Sequence, residues 1–175
     1  MRHRLAKFLA CLLLCLGEAA TAHAATLGEA EAKAAFIYNF VQFTNWPAGL
    51  LSSATAINVC LRPDAAVGLA LASLSGKQVH GVPLVVSALR EEAVATCHVV
   101  FVEASDGAWM RKLAAMSPPL PLLTIADLPD PGAAAPMITL TLVGRKIAFD
   151  VDASQARRAG LTISSRVLQL ARSVK

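Results

Sequence analysis

Residues 97–103 read CHVVFVE. Four apolar residues, three of them β-branched and one aromatic, follow each other without a polar alternate. That is the pattern of a strand buried on both faces. Downstream, SDGAWMRKLAAM (105–116) reads as an amphipathic helix with Ser105 or Asp106 as its cap, and PLLTIAD (121–127) as another strand. Upstream, LREEAVAT (89–96) is a short helix or turn, VPLVVSA (82–88) a strand and SGKQVHG (75–81) a loop. RPDAAVGLALASL (62–74) reads as a helix with Asp64 as N-cap after Pro63, preceded by a short buried strand, AINVCL (56–61). Strand, helix, strand, short helix, strand, helix, strand is the order of an α/β sheet with parallel strands and crossover helices.

The flanks differ. GEAEAKAAFIYNFVQF (28–43) is helical in pattern, with Glu29 and Glu31 in a first turn that favours acids. Ala35, Phe36, Phe40 and Phe43 form its mostly one-sided apolar stripe, and Pro47 breaks it. After Asp127 the alternation ends. MITLTLV (137–143) and KIAFDV (146–151) meet at Gly144-Arg145 as an antiparallel hairpin. Two short helices follow: Ala153–Ala159, stopped by Gly160, and Ser164–Ala171, capped by Ser164. The expectation is a single α/β domain: a mixed, mostly parallel sheet of about six strands flanked by helices, closed by a C-terminal hairpin and two short helices.

The N-terminus carries an address. Arg2, Arg4 and Lys7 precede an apolar run from Phe8 to Leu16, and Ala22-His23-Ala24 supplies a small-x-small cleavage site. This is the order of a secretory signal peptide. The apolar run falls well short of the roughly 20 residues of a spanning helix. Residues 1–24 are therefore expected to be removed after Ala24, leaving 25–175 as the exported domain. Cleavage leaves 13 basic and 11 acidic residues, a net charge of +2. It also leaves Cys60, Cys97, His80 and His98 as the remaining cysteines and histidines. QARRAGLTISSRVLQLARS (155–173) resembles the second half of a helix-turn-helix. Export and a weak basic balance both argue against nucleic acid as partner.

Several segments in order resemble the YfiR family of periplasmic proteins: AFIYNFVQFTNWP (35–47), INVCL (57–61), CHVVFVE (97–103), LTIADLP (123–129), KIAFDVD (146–152) and ARRAGLTISSRVLQLA (156–171). Together they cover about residues 30–172. The resemblance implies regulation rather than catalysis. It implies a periplasmic protein that binds and inhibits the sensor domain of a membrane-bound diguanylate cyclase of the YfiN type, lowering cyclic-di-GMP and biofilm growth. An outer-membrane lipoprotein of the YfiB type is implied as a second partner, and a homodimer is left open. The runner-up is a periplasmic small-molecule-binding module that signals to a membrane kinase or cyclase.

The residues themselves offer little chemistry. Cys60 and Cys97 are an even pair in an oxidising compartment, so a disulfide and two buried thiols both fit. Cys60 is late in its strand and Cys97 early in its own, which places them apart in adjacent parallel strands unless the register is offset. The resemblance implies that they are bonded. Cys97-His98 point to opposite faces of a strand and lack the further ligands of a zinc site. Asp150 and Asp152 lie at i, i+2, but Asp152 fits a helix cap and Asp150 a solvated partner. No nucleophile elbow or glycine-rich phosphate loop is present. No catalytic residue, cofactor or metal is therefore assigned. The partner-binding candidates are Arg145 and Lys146 at the hairpin tip, Arg157 and Arg158 on the penultimate helix, and Trp46 as an exposed anchor beside Pro47. Tyr38 and Trp109 are further interface aromatics.

Overall fold

A computed structural model describes residues 28–116, 119–129 and 132–175. The expected signal peptide and its cleavage site lie outside these residues. The chain starts with helix α1 (28–42). Strands β1 (Thr44–Asn45) and β2 (Ile57–Leu61), helix α2 (Ala66–Ala72), and strands β3 (Gln78–Val79) and β4 (Val82–Ala88) follow. Next come a 3-10 helix (Glu91–Thr96), β5 (Val99–Glu103), α3 (Ala108–Ala114), β6 (Leu123–Asp127), β7 (Ile138–Val143) and β8 (Lys146–Val151). The chain closes with α4 (Ala153–Arg158), β9 (Thr162–Ile163), α5 (Ser165–Leu170) and β10 (Ser173–Val174).

All six expected strands form, and they sit in one eight-stranded sheet of order β10-β8-β7-β6-β5-β2-β4-β3. The stretch β4-β2-β5-β6-β7 is parallel, in the doubly wound 2-1-3-4-5 order. The short edge strands β3 and β10, two residues each, were not legible as strands. Helices cover both faces, which explains the unbroken apolar run of 99–102. Val99 and Phe101 face a large core with Ile57, Val59 and Leu61 of β2, closed by α1, α2, α4 and α5. Val100 and Val102 face a smaller core with Cys60, closed by the 3-10 helix and α3.

Three local expectations are corrected. The buried face of α1 carries Ala30, Ala34, Ile37, Phe40 and Val41, whereas Ala35 is exposed and Phe36 and Phe43 lie on the flanks. Asp64 does not cap α2. Ala65 N donates to Arg62 O across a turn, so the helix begins one residue later, with Ala65 as its uncapped N-cap. Neither Ser105 nor Asp106 caps α3. They belong to a separate 3-10 turn, Ala104–Asp106, and Gly107 is the N-cap.

The C-terminal caps form as read. Asp152 accepts from Gln155 N at 2.8 Å, and Ser164 Oγ accepts from Arg166 N at 3.3 Å. Gly160, at φ 77, ends α4. Gly160 N donates to Arg157 O and Leu161 N to Ala156 O, the two bonds of a Schellman motif.

Candidate functional site

Cys60 and Cys97 form a disulfide with a Cα–Cα distance of 5.8 Å. The objection from strand position is resolved by where β5 starts. Cys60 is level with Val100, and His98 N donates to Asn58 O, but Cys97 precedes the ladder. It is the C-cap of the 3-10 helix, which folds over the face to which Cys60 points. The bond therefore pins that turn to β2 inside the smaller core. Beside it, His98 Nδ1 accepts from Asn58 N at 3.1 Å, so the ring proton sits on Nε2. Burial pushes the His98 pKa below its ordinary value.

Two segments far apart in sequence are sewn together next to α1. Thr44 pairs with Ile163 and Asn45 with Thr162, giving a separate two-stranded antiparallel sheet, and Ser164 N donates to Phe43 O at 2.8 Å. Pro47 packs on Gly160. A Cβ on Gly160 would lie 3.0 Å from Pro47 Cγ. Trp46 belongs to this seam. It is only 8% exposed, with its ring edge-on to His80 at 6.0 Å. The expectation of an exposed Trp46 anchor is thus corrected: strand pairing on one side of the residue and Pro47 docking on the other draw its ring into the core. Tyr38 and Trp109 are half-buried under Lys77 and Lys112.

The carboxyl ends of the parallel strands gather charge. Lys33 interrupts the apolar face of α1 and is 7% exposed. It pairs with Glu29 one turn earlier and with Asp127 at the end of β6. Burial pulls the Lys33 pKa down, but the bonds and charges of Asp127 and Glu29 outweigh it and hold the pKa above normal. Breaking such a buried pair costs more than forming it gains, so the pair fixes the position of α1 on the sheet. Arg62, after β2, lies 3.8 Å from Glu103 and 3.6 Å from Asp106, and is half-exposed. Contacts of that length on a solvated side chain contribute little. Burial raises the pKa of Glu103 against the pull of Arg62. In the sequence Glu29 and Asp106 stand out only for their places at helix starts, and none of these residues as part of a charge cluster. The signal was present only at Lys33, a charge within a helical apolar stripe.

The acids Asp150 and Asp152 do not form a catalytic pair. Asp150 is engaged by Arg172 and by Ser173, whose Oγ donates to it at 2.8 Å, and the Arg172 bond lowers its pKa. Asp152 is desolvated, yet its bonds from Ser154 and Gln155 N hold its pKa below normal. Two carboxylates kept ionised by structural partners lack the split pKa values that acid–base work uses. Among the described residues no group of three or more His, Cys, Asp or Glu is placed to hold a metal ion.

The hairpin is the most exposed feature with binding character. β6 pairs with β7 only at Ile138 and Thr139, and β10 pairs with β8 only at Asp150 and Val151. The part between, Leu140–Val143 with Lys146–Ala148, is a two-stranded ribbon with no ladder partner on either outer edge among the described residues. At about 3.3 Å per residue it extends roughly 13 Å past the last β6 rung. Gly144, at φ 61, supplies the left-handed position of its two-residue turn. The tip exposes Leu142 (44%) and Val143 (53%) beside Arg145 and Lys146. Arg157 and Arg158 are exposed too, but lie toward the other, amino-terminal end of the parallel strands. Arg158 shares a pocket with Thr124 and Met137, at the start of β6 and just before β7. The two basic pairs therefore belong to two places, separated by the length of the hairpin.

A family model described as YfiR/HmsC-like matches residues 30–172. Among solved structures, the chain is similar to a conserved domain protein from Vibrio cholerae O1 biovar El Tor, with a TM-score of 0.52 and 12% identity over 81% of this chain. The match spans 60% of that protein's length, and the likeness is one of fold. No curated protein matches.

Proposed function

The chain belongs to the YfiR/HmsC-like family, and on that premise we propose that it is a non-enzymatic regulator of cyclic-di-GMP signalling, exported to the periplasm after cleavage behind Ala24. It binds the periplasmic sensor domain of a membrane-bound diguanylate cyclase of the YfiN type and holds the cyclase inactive. An outer-membrane lipoprotein of the YfiB type competes for it. Export is supported by the n-region, the apolar run and Ala22-His23-Ala24. Among the described residues no helix is long and apolar enough to cross a membrane.

The observation that carries the reading is the ribbon tip. It offers two exposed aliphatic side chains, two cations and two strand edges without ladder partners among the described residues. An extended segment of a partner adds to such an edge through main-chain bonds, with the side chains giving selectivity. Lys146 on the edge also discourages indiscriminate pairing. Binding of the exported protein to the cyclase sensor domain, measured by surface plasmon resonance, tests this. Leu142→Asp with Val143→Asp should weaken affinity at least tenfold. Arg145→Glu with Lys146→Glu should slow association and flatten its salt dependence. Arg157→Glu with Arg158→Glu, at the other end of the strands, should change neither. Deleting the protein should raise cyclic-di-GMP, and deleting the cyclase as well should restore the baseline. Unchanged binding in both tip variants would place the interface elsewhere. No binding together with unchanged cyclic-di-GMP would remove the regulatory reading.

A further inference from the structure

The methionines of this chain share one place. Beyond Met1 there are three, Met110, Met116 and Met137, and all three line a single pocket of about 310 Å3 at the amino edge of β6. Leu113, Leu120 and Leu122 add to its apolar wall, and Gln155 and Arg158 of α4 stand at its polar side. The volume is at the lower end of the range for small-molecule sites. Methionine side chains, unbranched and polarisable, fit irregular apolar ligands. Among the described residues, Arg158 is the only charged one in the lining. Its described partner is the Ser154 hydroxyl at 3.1 Å. Asp152, whose pKa the charge of Arg158 helps to lower, is already engaged by Ser154 and the Gln155 N–H. The guanidinium thus keeps donors free for an anion, and its planar fork suits a carboxylate.

We infer that this pocket binds a medium-chain aliphatic carboxylate, with its tail among Met110, Met116 and Met137 and its head group on Arg158. At interior packing density the volume holds roughly ten to twelve non-hydrogen atoms, the size of decanoate. The site lies at the opposite end of the strands from the hairpin tip and is independent of the regulatory reading.

The test uses exported protein carrying 13C-methyl methionine, titrated by NMR with decanoate and, separately, with decanol at the same submicellar concentrations. Decanoate should shift the methyl signals of Met110, Met116 and Met137 saturably, and decanol should bind at least tenfold more weakly. Arg158→Gln should bring decanoate down to the affinity of decanol. Ala114→Phe, on the exposed side of α3 where it lines the pocket, should fill the site and abolish the shifts with circular dichroism unchanged. The inference is overturned if decanoate gives no saturable shift of the three methyls. It is overturned equally if decanoate and decanol bind alike and Arg158→Gln is silent, because the pocket would then recognise no carboxylate.

Discussion

Replacing Gly160 with alanine should loosen the seam between the first helix and the closing helices more than alanine at any other positive-φ glycine destabilises the chain. Two costs add. At φ 77 an L-residue pays about 1–2 kcal/mol. The new Cβ would also meet Pro47 Cγ at 3.0 Å. Pro47 has little room to give, because its ring is rigid and Trp46 before it is buried. Overpacking of this kind costs about 1–3 kcal/mol. Lower chain entropy in the unfolded state returns about 0.4–1 kcal/mol. The net loss is about 1–4.5 kcal/mol, centred near 3, or roughly 6–12 °C in Tm at that centre for a chain of this size. Gly76→Ala is the control: its φ of 83 is as unfavourable, but nothing lies within 4 Å of a Cβ there. It should lose only about 1 kcal/mol. Urea midpoints at constant slope measure both. Adding Pro47→Ala should recover part of the Gly160→Ala loss, and a double-mutant cycle reads the coupling. Equal losses for Gly160→Ala and Gly76→Ala, or zero coupling to Pro47, would refute the contact as the cause.

Cys60→Ser should cost about 4 kcal/mol, the loop-closure value for a sequence separation of 37. The urea midpoint of the oxidised wild type should fall by a similar amount on adding reductant, with secondary structure retained in water; an unchanged midpoint would show that the bond contributes nothing. Because His98 has a depressed pKa when folded, the unfolded chain binds more protons just below the ordinary histidine pKa of about 6.5. The stability this group contributes is complete above that pH and is lost as pH falls below it. His98→Asn should flatten the fall in urea midpoint between about pH 7 and 5 relative to wild type, and identical slopes would contradict this account.

The fold was legible where physical signals are local. Runs such as Val99–Val102 must be strands covered on both faces, because no other element buries consecutive β-branched side chains so economically. The Gly160 stop and the Asp152 and Ser164 caps are decided within a few residues, and they form as read. The caps assigned to Asp64 and Asp106 fail because turns just before the two helices put Ala65 and Gly107 at the N-cap positions instead. Residues 29, 33, 62, 103, 106 and 127 share the carboxyl edge only because the strand order brings their ends level. The two-residue strands β1 and β9 exist only through their pairing across more than a hundred residues, which also decides that Trp46 is inside. The sequence by itself determined the element types, the sheet class and the cysteine pair available for bonding. Tertiary structure decided which side chains face solvent and which meet. Register and crossover direction are set by the packing of the whole sheet, and they separated the two basic pairs to opposite ends of the strands and gathered the methionines into one pocket.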